Sequence, residues 1–139
     1  MSERERNKAV VRRIYARIWS AGELDLVDEL FSPDLAFHDP ASDRTVGLPD
    51  LKALVRAWRT GLPDLREEVL DLIGEDDRVA CRFRLTGTQT GPFLGRPPSG
   101  RPINIVGVDL YRFQNGRIVD FTYLEDTLGL LSQLGVMTR

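Results

Sequence analysis

The 139 residues carry 42% hydrophobic and 29% charged side chains at a formal net charge of −2, which bounds the chain to one globular domain, residues 1–139, with a substantial core. Both signs of charge are interspersed and no basic block stands out, so the electrostatic footprint of a nucleic-acid binder is excluded. The single cysteine, Cys81, excludes an internal disulfide, the charged start Ser2 to Arg6 lacks an apolar signal core, and no run approaches membrane-spanning length, which together predict a cytoplasmic protein with no membrane partner.

Ser2 and Glu5 have the spacing of a capping box. Apolar residues then recur at Val10, Val11, Ile14, Tyr15, Ile18 and Trp19, the stripe of an amphipathic helix that Gly22 closes. A shorter helix is expected from Leu24 to Phe31, ended by Pro33. The piece from Asp34 to Pro40 reads as extended, and residues 41–47 as loop. Pro49 opens a third helix with Leu51, Leu54, Val55 and Trp58 on one face, and Gly61 and Pro63 end it. Beyond residue 64 the period changes. Leu65 to Ile73 is expected as a strand, and Arg78 to Thr88 as a longer one with Val79, Cys81, Phe83 and Leu85 alternating against Ala80, Arg82, Arg84 and Thr86. Residues 91–102 form a glycine- and proline-rich loop. Leu128 to Leu134 closes the chain as a short helix. Helices first and a meander later predict an α+β domain.

The densest signal is Asn115-Gly116 between two apolar runs, Ile103 to Phe113 and Arg117 to Leu124, a hairpin with a two-residue turn. An unbroken register then sets Phe113 opposite Ile118, Tyr111 opposite Asp120, Asp109 opposite Thr122, Gly107 opposite Leu124 and Ile105 opposite Asp126. These pairs share one face, read as a pocket wall. The other face, with Val106, Val108, Leu110, Val119 and Phe121, is too apolar to meet water and predicts a two-fold homodimer.

The segments Trp19-Ser-Ala-Gly22, His38-Asp-Pro40, Leu62-Pro-Asp-Leu65, Leu85-Thr-Gly-Thr88 with Thr90-Gly91, Phe93-Leu-Gly95 with Pro98-Ser-Gly100, Tyr111-Arg-Phe113, and Asp126-Thr-Leu-Gly-Leu-Leu-Ser-Gln-Leu-Gly135 recur in this order and spacing in one family. On these the chain resembles the SnoaL-like polyketide cyclases, within the cone-shaped fold of nuclear transport factor 2 and ketosteroid isomerase. The resemblance implies a curved antiparallel sheet with the N-terminal helices on its concave side. It also implies a cofactor-independent enzyme closing a polyketide ester ring by an aldol reaction, with Asp126 as general acid/base. Two departures stand out: Gln89 replaces a family histidine, and Phe121-Thr122 replace a His-Trp pair. Glutamine can donate and accept hydrogen bonds but cannot shuttle a proton.

The expected catalytic residues are Asp126, His38 and Asp109, and the expected substrate contacts are Tyr15, Trp19, Trp58, Gln89, Tyr111, Thr122 and Leu124. Each has a plainer reading. Asp126 can cap the last helix, His38 can be a hydrogen-bonded surface residue, Asp109 can be a satisfied buried carboxylate paired to Arg82, Arg84 or a helix residue, and Trp19 can be core. One histidine and one cysteine leave no basis for a zinc site. The expected ligand is a bulky, apolar, oxygenated small molecule, with no cofactor. Two other readings stay open: an epoxide hydrolase, isomerase or hydroxylase, the first needing Arg82 or Arg84 beside Asp109 and Asp126, and a non-catalytic binding or dimerisation module.

Overall fold

The structure, a computed structural model, describes residues 1–40 and 42–137; Ala41, inside the expected 41–47 loop, lies outside them. The described residues form α1 (Glu3–Arg13), α2 (Asp25–Leu30), β1 (Phe31–Asp39), β2 (Arg44–Val46), α3 (Leu48–Gly61), β3 (Arg66–Glu75), β4 (Arg78–Thr88), β5 (Pro102–Gln114), β6 (Arg117–Glu125) and α4 (Thr127–Gln133). No helix among them is long and apolar enough to cross a membrane.

The expected cap forms, with Glu5 N donating to Ser2 Oγ at 3.1 Å. The helix does not stay α-helical to its end. Its last stretch, Ile14–Trp19, is a π-helix, in which Ser20 N donates to Tyr15 O at 3.1 Å. The wider turn brings Ile14, Tyr15, Ile18 and Trp19 all inward. Gly22 stops it at φ +75°, with its N–H on Ile18 O. A side chain there would strike Arg59, whose guanidinium donates to Trp19 O at 2.8 Å.

The sheet runs β2-β1-β6-β5-β4-β3. It is not wholly antiparallel: β1 lies parallel to β6, Phe37 beside Phe121 and His38 beside Thr122. No hairpin joins these two strands, so nothing constrains them to run antiparallel. Within the expected 41–47 loop, Arg44–Val46 forms a three-residue edge strand on β1, short as edges tend to be.

The β5–β6 turn is as expected. Asn115 and Gly116 take φ of 53° and 78°, the left-handed pair of a hairpin turn, and Phe113 faces Ile118. The next pair is Arg112 with Asp120, so Val119 is an extra residue, a β-bulge. Beyond it the expected register is overturned. Tyr111 faces Phe121, Asp109 faces Tyr123 and Gly107 faces Glu125. Phe121, Tyr123 and Glu125 take the inner face, and Asp120, Thr122 and Leu124 the outer one. Tyr111, Phe121 and Phe37 then stack, with ring centroids 4.9 Å and 5.2 Å apart, in one core with the helices.

The outer face keeps Val106, Val108, Leu110 and Leu124 at 37%, 40%, 51% and 57% exposure. Phe121, expected there, is buried. We propose that this apolar strip is covered by a second copy of the chain. Light scattering is expected to give twice the 15.7 kDa chain mass, and Leu110→Glu to give monomer with unchanged helical circular dichroism. A wild-type monomer at micromolar concentration overturns the proposal.

Candidate active site

Three carboxylates face the cavity between sheet and helices. Asp109 comes from mid-β5, Glu67 from the start of β3 and Glu125 from the end of β6. Together with Trp19, Trp58 and Phe83 they line an inner chamber of about 20 Å³, room for about one water. Gly107 lets the Phe83 wall of this space pack closely on β5: a Cβ there would meet the Phe83 ring and Leu124 O. Trp58, Leu54, Tyr123 and Glu125 also line a wider vestibule of about 210 Å³, walled by Phe93 and by Leu130 and Leu131 of α4. Glu125 therefore borders both spaces, an inner chamber where it meets Glu67 and Asp109 among aromatic walls, and a vestibule where it meets Asp39 among leucines.

Asp109 is 3% exposed. Its Oδ2 accepts from Tyr15 Oη at 2.5 Å and from Tyr111 Oη at 3.3 Å, and the two phenols lie 2.8 Å apart. Burial pushes Asp109 up to about 7, against the two tyrosine hydrogen bonds, with Glu125 adding to the rise. Burial, then the Asp39 charge, takes Glu125 to about 7. Glu67 is raised well above the carboxylate range by burial first, then by Asp109 and Glu125. Glu67 is half-buried as a residue, but its Oε2 is sealed from solvent and has no hydrogen-bond partner among the described residues. The arrangement can hold carboxyl groups in either protonation state near neutrality, the property a proton-transfer site needs.

A family model described as SnoaL-like polyketide cyclase matches residues 9–134. The chain belongs to the SnoaL-like polyketide cyclase family. Among solved structures it is similar to AclR of Streptomyces galilaeus, a candidate hydroxylase, at 28% identity and TM-score 0.90 over 99% of this chain and 85% of that one. A candidate SnoaL-like polyketide cyclase from Jannaschia sp. CCS1 is 28% identical, at TM-score 0.88 over 99% and 97%. IdmH, a candidate polyketide cyclase from Streptomyces antibioticus, is 27% identical, at TM-score 0.83 over 94% and 99%. No curated protein matches the chain.

Of the residues expected at a family site, Tyr15, Asp109 and Tyr111 come together in one buried network, and Trp19 and Trp58 line the chamber beside it. The others lie elsewhere. Asp126 is the N-cap of α4, its Oδ1 accepting from Gly129 N at 2.9 Å. His38 alternates with inward Phe37, so it lies on the outer face, with Nε2 3.0 Å from Asp120 Oδ2 and Nδ1 2.9 Å from Thr45 Oγ1. The bulge carries Thr122 to that same face, and Leu124 with it, although Leu124 also borders the vestibule. Gln89 is 1% exposed, and its amide is turned into its own loop, bonded to Gly91 O, Pro97 O and Ser99 Oγ. It fastens the 91–100 loop, and Phe93 of that loop packs on Trp58 at 4.7 Å. Arg82 and Arg84 also point outward, to Asp71 and Asn104, so the arginine-assisted epoxide set is not assembled.

Glu67 and Glu125 were absent from the expected site. Glu125 was hidden by the bulge. Glu67 had a legible signal, a charged residue at an inward position of a strand, but the neighbouring Arg66 and Glu68 made the segment read as solvated.

The buried network and the helix cap can both be tested through stability. Asp109 is raised in the folded state, so its contribution to stability is fully present below its ordinary value of 3.8, declines as pH rises, and is gone above about 7. Each tenfold difference in proton affinity between folded and unfolded chain is worth about 1.4 kcal/mol. Wild-type Tm is therefore expected to fall relative to Asp109→Asn between pH 4 and 8, as read by scanning calorimetry; parallel curves overturn this. Asp126→Ala is expected to cost about 1 kcal/mol in urea unfolding and Asp126→Asn much less, since asparagine also caps.

Proposed function

We propose that this family member removes a proton from a carbon activated by carbonyl groups and closes a ring by intramolecular aldol addition. The observation that carries this reading is Glu125, a carboxylate held near neutrality on the wall shared by the inner chamber and the vestibule. A bulky ligand fills the vestibule and presents its acidic carbon to Glu125. Glu125 takes the proton. The enolate carbon then attacks a second carbonyl of the same molecule, forming the carbon–carbon bond. The new alkoxide takes the proton back, so the step is a net isomerisation. Leu54, Trp58, Phe93 and the α4 leucines hold the chain folded, which supplies the proximity that ring closure requires. The Asp109–Tyr15–Tyr111 network behind Glu125 fixes its surroundings. Asp126, one residue further on, holds the helix that forms one wall. Similarity to a candidate hydroxylase supports a second reading, in which the carbanion left by the same proton removal adds molecular oxygen as the oxidant and takes up a proton to give a hydroperoxide.

The test is H/D exchange at the carbon between the carbonyls of an aryl β-keto ester, followed by NMR. Glu125→Gln is expected to slow enzyme-dependent exchange about a hundredfold or more with unchanged circular dichroism, whereas Asp126→Asn keeps most of it. Loss in Asp126→Asn with retention in Glu125→Gln returns the role to Asp126. No exchange by wild type favours a non-catalytic binding module. Ring-closed against oxygenated product, by mass spectrometry, separates the two enzymatic readings.

A further inference from the structure

The inner chamber is more acidic than a single proton transfer needs. Glu67, Asp109 and Glu125 face it, and among the described residues no lysine, arginine or histidine lines it or the vestibule. Glu67 has no part in the step above, yet its Oε2 is sealed from solvent and unpartnered among the described residues. Buried polar atoms are normally satisfied, and each exception calls for a missing partner. The carboxylates of the described residues are not grouped closely enough to hold a metal ion, so a divalent cation does not fit this cluster. A carbonyl oxygen only accepts, so Glu67 holds it only in its protonated form, whereas an ammonium group is held by the ionised form.

We infer that the substrate carries a basic nitrogen, and that its ammonium group enters the inner chamber to pair with Glu67 while its apolar body fills the vestibule. The deduction rests on the proposed site. Several features meet in it. A chamber of about 20 Å³ suits a water-sized ammonium head on an alkyl stem. The head brings three donors and no acceptor into a space that offers carboxylate oxygens. Trp19 and Trp58 border the chamber, and indole rings attract cations. The cation also relieves the burial and mutual repulsion that push Glu67, Asp109 and Glu125 upward. The ligand class is thus an apolar ring system with a short aminoalkyl arm.

The test is isothermal titration calorimetry at neutral pH with three probes of one shape: 2-(1-naphthyl)ethylamine, 2-(1-naphthyl)ethanol and 1-naphthylacetate. The amine is expected to bind at least about tenfold more tightly than the alcohol, the scale of one charge-assisted hydrogen bond, and the carboxylate most weakly. In Glu67→Gln the preference for the amine is expected to collapse while alcohol affinity holds. Equal binding of amine and alcohol by wild type overturns the inference without any variant. So does an amine preference that survives Glu67→Gln. Neither result touches proton transfer by Glu125, which the exchange assay reads separately.

Discussion

Side chains alternate along a strand, so one unpaired residue exchanges the two faces of everything beyond it. Val119 is that residue in β6. Before it, Ile118 points into the core. After it, Phe121, Tyr123 and Glu125 point inward, and Asp120, Thr122 and Leu124 point out. The aromatic stack, the junction carboxylate and the start of α4 all depend on this one insertion. Without it, the inner surface of β6 would carry a threonine and an exposed leucine, and Glu125 would stand on the outside. The bulge also keeps the hairpin turn in its favourable geometry, because Phe113 and Ile118 still pair directly before the register shifts.

What the bulge admits is costly to keep. A buried carboxylate disfavours its charged form, and three share one cavity here. The fold offsets part of this through Tyr15 and Tyr111, which both donate to one oxygen of Asp109. Tyr15 reaches that position from the π-helical stretch of the first helix, so the wider turn and the buried network are linked. The remaining cost is left in place at Glu67 and Glu125. Perturbed carboxyl groups of this kind are enriched at functional sites.

The element order was legible because periodicity and turn chemistry are local. The strand Arg78–Thr88, the helix opened at Pro49, the Asn115-Gly116 turn and the final helix all follow from residues within a few positions of each other. Asp109, Tyr15, Tyr111, Trp19 and Trp58 were legible as well, the first because a carboxylate in the middle of an apolar strand needs a reason. The parallel β1–β6 pair was not legible, since no local signal says which edge a lone strand joins. The bulge was not legible either, because Val119 differs in nothing from a regular strand residue. That single slip placed Thr122 and Leu124 in the pocket and kept Glu125 out. His38 and Gln89 were placed by resemblance alone, and their neighbours in space gave them other bonds.

The β1–β6 pairing has a kinetic side. Phe37 and Phe121 sit side by side but enter the chain far apart, so closing this contact carries the loop-closure entropy of the long segment between them. The four-strand meander can form through successive hairpins, whereas β1 has only the short β2 edge to pair with until β6 is in place. Proteins dominated by such distant pairings fold slowly. Without β6, β1 would carry Phe31, Leu35 and Phe37 on an unpaired edge, the kind of surface that associates with other chains. The same long-range pairing seats Tyr123 against Phe37, so one wall of the cavity rests on a contact between distant parts of the chain.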